Sequence, residues 1–291
     1  MFNQLLLNGI IAGSIYALIA LGFTVIYKTV RFFHFAHGVV YTAGAYCAYS
    51  LTISLGINSV ISFFIASAFS ALFGIAIDRL VYLPLRKSNA PALVFLIASF
   101  GIFIFIQNLL QLIYGAQILS LRTGAVKEGH AVLGAVITDI QILILVVSCW
   151  LLGILWFIIE KTKMGKAIRA VADDPVGASV SGIYAERVIL YAFGIGSALA
   201  GVAGVLISYE TNIEPTMGLN AILKGIIASI IGGMGNIPGA VIGGFFLGIV
   251  ENLGIWKIQA GWKDTISFVI LIVFLLLRPE GVLGKKNRER F

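Results

Sequence analysis

Two ionisable side chains stand inside apolar runs, and the chemistry open to them poses the first question. Lys224 lies six residues inside the run 218–234, and Glu251 lies at the far end of the run 237–252. A charge near hydrocarbon costs a few kcal/mol on insertion scales, so it normally faces protein or water. Lys224 precedes Gly235 by 11 residues, and Glu251 follows Ile237 by 14. At helical rise both sit on the order of 15–20 Å above the intervening turn, so two helices packed as a hairpin bring them together on the outward side. Three roles are open to such a pair: holding the helices together, lining a solute path, or snorkelling to the outer interface.

The other titratable groups are less suggestive. His34 and His37 flank Phe35 and Ala36 at the start of a run. Residues three apart can share a helix face, but a metal site needs a third ligand. No Cys or acidic residue lies nearby, so interfacial hydrogen bonding is expected. His130 stands alone in a loop. Asp173 and Asp174 are adjacent, so on a helix they point in different directions. Cys47 and Cys149 lie within apolar runs. They are too few for a disulfide framework and read as small buried side chains. There is no Ser/His/Asp cluster, no HExxH and no Gly-rich loop followed by Lys-Ser/Thr. Neither catalysis, nor a metal, nor a nucleotide is expected of this chain.

The elements that position these residues follow from composition. Of 291 residues, 59% are hydrophobic and 11% charged, with a mean hydropathy of +1.02. A soluble domain carries about 25% charged residues, so a water-soluble enzyme and a disordered chain are both excluded. Apolar runs occur at about 5–27, 35–54, 58–80, 92–114, 136–160, 185–209, 218–234, 237–252 and 264–278. They are continuous, as in Leu143 to Ile159, where a barrel strand would alternate. The expectation is an all-α polytopic membrane bundle of about 8–10 transmembrane helices. Met1-Phe2-Asn3-Gln4 carries no basic residue, so the first run is expected to be retained rather than cleaved.

Charge sets the orientation. If each run crosses once, one side holds Lys28, Arg31, Arg79, Arg86, Lys87, Lys161, Lys163, Lys166, Arg169, Arg187, Arg278, Lys285, Lys286, Arg288 and Arg290, fifteen of the 20 Lys and Arg. The other side holds Arg122, Lys127, Lys257 and Lys263. The richer side is cytoplasmic by the positive-inside tendency, which puts the amino terminus outside and the carboxyl terminus in the cytoplasm. The tail from Lys285 to Arg290 is expected to lie near anionic lipid. The net charge of +7 therefore suggests a membrane surface rather than nucleic acid.

Two further segments stand out. Residues 161–184 have helix formers with apolar Ala167, Ile168, Ala170 and Val171, then Asp173-Asp174-Pro175, a helix stop and restart. A short amphipathic helix results, lying on the membrane or docking into a groove on a cytoplasmic partner. Small residues mark close helix packing in lipid: Gly9, Gly13 and Ala17 on the first run, and Gly194, Ala198, Gly201 and Gly204 on another. The densest case is Ile231 to Gly244, where Gly232-Gly233 and Pro238 sit between two short runs and Gly235, Gly239 and Gly243 are spaced four apart. This reads as a tight inward turn. It is placed either near a pathway or subunit contact or in plain helix packing.

Taken in order, these features resemble the LivH-type permeases of high-affinity branched-chain amino acid ABC importers, over essentially the whole chain. Phe33-His-Phe-Ala-His-Gly38 is similar to the family's Asn-Phe-Ala-His-Gly signature, with His34 at the usual Asn position. Gly165, Arg169, Ala170, Asp173 or Asp174, and Gly182-Ile183 resemble the family's coupling loop, 161–184. Gly232 to Gly244 resembles its glycine hairpin, and Arg278-Pro-Glu-Gly-Val-Leu-Gly284 its ending. The resemblance implies one permease domain over 1–291, with Gly165, Lys166, Arg169, Ala170, Asp173, Asp174 and Gly182 coupling to an ATPase. The candidates for the path or gate are His37, Lys224, Glu251, Gly232, Gly233, Gly235, Asn236 and Gly239. It also implies partners: a second, LivM-like permease, two cytoplasmic ATP-binding subunits that hold ATP and Mg, and an external or periplasmic solute-binding protein at a bacterial inner membrane. A urea or short-amide permease of the same design and an ion-coupled secondary transporter are the alternatives; the latter requires mirror repeats.

Overall fold

The computed structural model describes residues 1–122, 129–132 and 134–284. The expected lipid anchor 285–290 and Lys127 lie outside them. The nine apolar runs all become helices. These are α1 (Phe2–Val30), α2 (Ala36–Tyr49), α3 (Ser59–Ile77), α5 (Ala92–Tyr114), α6 (Asp139–Lys161), α9 (Ala185–Glu210), α10 (Met217–Gly232), α11 (Ile237–Gly254) and α12 (Lys263–Leu277). Short helices α4 (Leu83–Lys87), α7 (Lys163–Asp173) and α8 (Pro175–Val180) complete the set. Among the described residues six helical stretches are long and apolar enough to cross a membrane. The runs that became α2, α10 and α12 give helices of 14, 16 and 15 residues. These are shorter than the expected crossing, and α2 is extended by a π turn at Ser50–Ser54. A second π turn, Asp78–Tyr82, joins α3 to α4. The protein is an all-α polytopic membrane bundle, and among the described residues the exception is a small antiparallel hairpin, β1 (His130–Val132) and β2 (Ala135–Ile137).

Burial sorts the helices into two shells. Most of α1 and α9 is buried, whereas α3, α5 and α6 are largely exposed. α1 packs along α11 and against α9 and α10, and α2 lies on α9, α3 and α10. Phe64, Leu72, Phe105, Leu112, Val146 and Trp150 are exposed on the outer helices. In water such faces would drive aggregation; in a bilayer they meet acyl chains. Cys149 belongs to this exposed face and Cys47 is half-buried. The expectation of two buried thiols fails for Cys149, because its helix has only one face turned to protein.

The small-residue stripes do the close packing. A Cβ on Gly9 would lie 2.8 Å from the Ile249 Cα, and one on Gly13 the same distance from the Phe245 Cα. Opposite them, Gly244 and Gly248 leave room for the backbone of Ala17 and Gly13. In lipid, where apolar burial separates helices no worse than it joins them, this approach is the source of attraction. On α9, Gly201 faces Ser70 and Gly204 faces the Tyr41 backbone.

Contacts at the two ends of the bundle show the helices running alternately. At one end Gln4 is bonded to both backbone groups of Val136 (2.8 and 3.0 Å), Leu119 pairs with Ile213, and the Phe2 ring meets Trp256. At the other end Arg31 donates to the Ala172 carbonyl at 2.5 Å, and Val282 and Leu283 bond to Ile231 and Gly232. The fifteen-residue basic side of the sequence, as far as it is described, gathers at this second end.

Candidate functional site

The expected pair forms. α10 ends at Gly233, whose φ of 110° suits glycine, and α11 starts at Asn236, whose side chain accepts from the Gly239 N–H at 3.1 Å. Pro238 occupies the first turn of α11, where its missing N–H costs nothing. The resulting hairpin sets Lys224 against Glu251, with the Nζ donating to Oε1. Glu251 is fully buried and Lys224 is 7% exposed.

Three partners were not read from the sequence. Tyr16 on α1 donates to Glu251 Oε2 at 2.9 Å. Ser267 on α12 accepts from Lys224 at 2.7 Å and donates to Glu251. Asp264 Oδ1 lies 2.9 Å from the Lys224 Nζ, at a side chain 60% exposed. Tyr16 sits on a helix far away in sequence, and Ser267 and Asp264 sit on the helix that follows α11, whose packing back onto α10 and α11 no spacing announces. The buried carboxylate thus receives three donors, which is how a buried charge avoids the full desolvation cost. The node lies about 10 Å from the start of α10, toward the sparsely basic end. Snorkelling of Lys224 is excluded by its burial. A shallow groove is lined by Asn220, Leu223, Lys224 and Ile227 of α10 with Asp264 and Phe268 of α12.

The glycine turn is clasped by the chain's own ending. Val282 N–H donates to Ile231 O (2.8 Å) and Leu283 N–H to Gly232 O (3.0 Å), so two carbonyls at the end of α10 find partners. Asn236 Nδ2 donates to Leu283 O at 2.6 Å. Gly281, at φ 78°, presses its backbone on Gly233, and a Cβ on Gly233 would lie 2.7 Å from the Gly284 nitrogen. Gly232 and Gly239 face one another backbone to backbone, while Gly235 (φ 78°) has open space around it. The sequence named this turn but not the clasp.

The segment 161–184 folds as the stop-and-restart pattern requires. Thr162 caps α7 by accepting from Gly165 N–H (3.3 Å), and Asp174 caps α8 by accepting from Val176 N–H (2.9 Å). The candidates divide between two surroundings. Gly165 is buried and Ala170 half-buried. Arg169 turns inward, donating to the Ile159 carbonyl beside Glu160 (3.7 Å). Lys166, Asp173, Asp174 and Gly182 are exposed. Beside them Val176, Val180 and Tyr184 are 72%, 85% and 69% exposed, an apolar patch absent from the sequence candidates.

The histidines depart from expectation. His34 and His37 are both fully buried rather than interfacial. His34 Nδ1 shares a hydrogen bond with Tyr82 Oη (3.0 Å), and its ring meets Phe193 and Phe32. His37 lies against Gly22, away from the groove. The loop after α1 folds back into the bundle, and that tertiary path, unseen in the sequence, buries both rings. His130 is not alone, since its Nε2 lies 2.8 Å from Asp139 Oδ1. Among the described residues no three His, Cys, Asp or Glu converge in a way that could hold a metal.

Comparison with known proteins bears on this arrangement. The chain is 38% identical over 302 aligned positions to the high-affinity branched-chain amino acid transport system permease protein LivH of Escherichia coli (strain K12), spanning 99% of this chain and 97% of LivH. It is 38% identical to the corresponding permease protein BraD of Pseudomonas aeruginosa, spanning 99% and 98%. Among solved structures it is similar to PsaBC from Streptococcus pneumoniae in complex with Fab, with a TM-score of 0.55 at 11% identity over 94% of this chain and 91% of that one. At that identity the likeness is one of fold. Residues 5–275 match a family description across every helix of the hairpin, the clasped turn and the α7–α8 segment, and the chain therefore belongs to the family described as the permease component of the branched-chain amino acid transport system.

Proposed function

We propose that this chain is one of two permease subunits of an ABC importer for branched-chain or other neutral amino acids in a bacterial inner membrane. Its amino terminus is outside and its carboxyl terminus in the cytoplasm. A second, LivM-like permease forms the other half of the path, and an external binding protein delivers the solute. Two cytoplasmic ATP-binding subunits carry ATP and Mg. The family match over nearly the whole chain carries this reading. The uncovered apolar patch of Val176, Val180 and Tyr184 beside exposed Lys166 supports the α7–α8 segment as the surface on which an ATP-binding subunit docks. The Lys and Arg gathered at that end support its cytoplasmic orientation.

Arg169 acts in this scheme by joining α7 to the end of α6 rather than by touching the partner. A force on α7 is thereby passed to a long helix. Nucleotide-driven movement shifts the permease between outward- and inward-open states only if the ATP-binding subunits bind the two states differently.

The test is uptake of labelled leucine into vesicles that hold the assembled importer. Uptake that needs internal ATP and the binding protein supports the reading. Uptake driven by an ion gradient without ATP, or uptake of urea in place of leucine, overturns it. A thiol placed at Lys166 and labelled only from the cytoplasmic side checks the orientation, and external labelling would reverse it.

A further inference from the structure

We propose that Glu186 is a positioning residue of the transport cycle: through Arg86 it locks the elbow between α3 and α4 to the start of α9, so that a push on the α7–α8 segment carries α3 and α9 together. The transport cycle itself rests on the importer reading above; the lock rests on the contacts of one guanidinium.

Arg86, near the end of α4, stands between two carboxylates from different elements. Its Nη1 and Nη2 donate to Asp78 Oδ1 and Oδ2 at 2.7 and 3.2 Å. Its Nε and Nη2 donate to Glu186 Oε1 and Oε2 at 3.2 and 2.8 Å. A planar fork can hold two carboxylates in this way, which a point-like ammonium cannot. The two acids have different surroundings. The Asp78 side chain is 1% exposed and that of Glu186 47%. Asp78 needs Arg86, because a buried carboxylate needs a partner. Glu186 does not, because water solvates a half-exposed carboxylate and such pairs add little stability. Its bonds to Arg86 therefore fix position more than they hold the fold.

The lock sits between the surface that is pushed and the helices that must respond. Glu186 lies in the first turn of α9. The linker from α8 is short and tied down, since the Ile183 N–H returns to Ala178 O at 2.9 Å. Asp78 opens the π turn Asp78–Tyr82, across which the Leu83 N–H bonds back to Asp78 O. Turns of this kind are rare and cluster at functional sites. The same turn carries Tyr82, fully buried, whose Oη shares a hydrogen bond with His34 just before α2. Glu186, Arg86, the π turn, Tyr82 and His34 thus form one line of contacts from the docking segment past α9 and α3 to α2. Arg169, by contrast, leads only to the end of α6. A line of contacts carries coupling only if breaking it changes the coupling.

The experiment uses the assembled importer in vesicles and records leucine uptake and ATP hydrolysis together. Glu186→Ala raises the ATP hydrolysed per leucine moved by about threefold or more. Glu186→Gln keeps one acceptor oxygen, gives a smaller rise, and stands in where the alanine variant fails to assemble. Lys87→Ala, which removes an exposed charge next to Arg86 but outside the lock, keeps the parental ratio. In the chain alone, in lipid nanodiscs, Glu186→Ala speeds deuterium exchange of the Leu83 amide about two- to threefold and leaves the α1 amides as they were. Uptake and hydrolysis that fall together at a constant ratio give Glu186 a role in the α9 dipole or the fold alone, and overturn the proposal. So does a ratio for Lys87→Ala as high as for Glu186→Ala, or a Leu83 amide that exchanges as in the parent. A parent importer that moves leucine with ATP, beside Glu186 variants of parental ratio, sinks the lock and leaves the importer reading standing. A parent that moves none sinks the importer reading, and the Leu83 exchange then decides the lock by itself.

Discussion

Removal of either member of the buried ion pair has a cost that the other member's surroundings decide. Lys224→Met leaves Glu251 fully buried with only the hydroxyls of Tyr16 and Ser267 as donors. Removing one partner of a buried pair costs about 3–5 kcal/mol. Two hydroxyl donors remain, each worth about 1.5–3 kcal/mol to a charged acceptor. They hold this variant near the lower bound, at about 3 kcal/mol. Glu251→Gln costs less, about 1–2 kcal/mol, because Lys224 keeps Ser267 at 2.7 Å and Asp264 at 2.9 Å near the surface. The double variant orphans no buried charge and costs about 2 kcal/mol. The singles sum to more than the double, giving a coupling energy of about 2–3 kcal/mol. Reversible unfolding of the purified chain in mixed detergent micelles measures all four proteins. Additivity of the two singles within about 0.5 kcal/mol would refute the reasoning, since it would mean the charges do not stabilise one another.

Gly13→Leu forces α1 off α11, because the obstruction is backbone at the Phe245 Cα; a loss of about 1–3 kcal/mol is expected in the same unfolding assay, and unchanged stability would contradict the close-packing account. Asn236→Ala removes the bond to Leu283 O, so the Val282 and Leu283 amides exchange faster with deuterium while the amides of α1 do not; protection as in the parent chain would show that the clasp does not depend on it. Val176→Asp with Val180→Asp lowers coupled ATP hydrolysis in the assembled importer, yet leaves the isolated chain within about 0.5 kcal/mol of the parent. Arg169→Glu, by contrast, destabilises the isolated chain, because it removes the donor to the Ile159 carbonyl and sets a carboxylate near Glu160. Equal behaviour of the two α7–α8 variants would undo the division between inward and outward residues.

Some of this protein was determined by one-dimensional pattern. Continuous apolar runs place nine helices because backbone polar groups in lipid must be bonded within a segment. Gly233, Gly235 and Pro238 mark the turn because each sits where its own φ or missing N–H is wanted. Asp174-Pro175 separates α7 from α8, since a capping carboxylate and a ring at the first helical position start a helix in any context. The Lys224–Glu251 pair was legible for the same reason: two adjacent helices and a known rise fix their relative height.

Tertiary structure alone decided the rest. Tyr16 comes to the node from α1, distant in sequence, and Ser267 and Asp264 come from α12, the next helix after α11, whose packing back onto α10 no local pattern encodes. His34 and His37 are buried because the chain folds back after α1, and no local pattern encodes the direction of that return. Arg169 points inward, and Val176, Val180 and Tyr184 outward, because α7 rests on the end of α6 while α8 turns only its Ala178 face to α7 and α9. An amphipathic pattern says that one face of a helix is covered; which neighbour covers it depends on long-range packing, where the same small-residue stripe fits more than one partner.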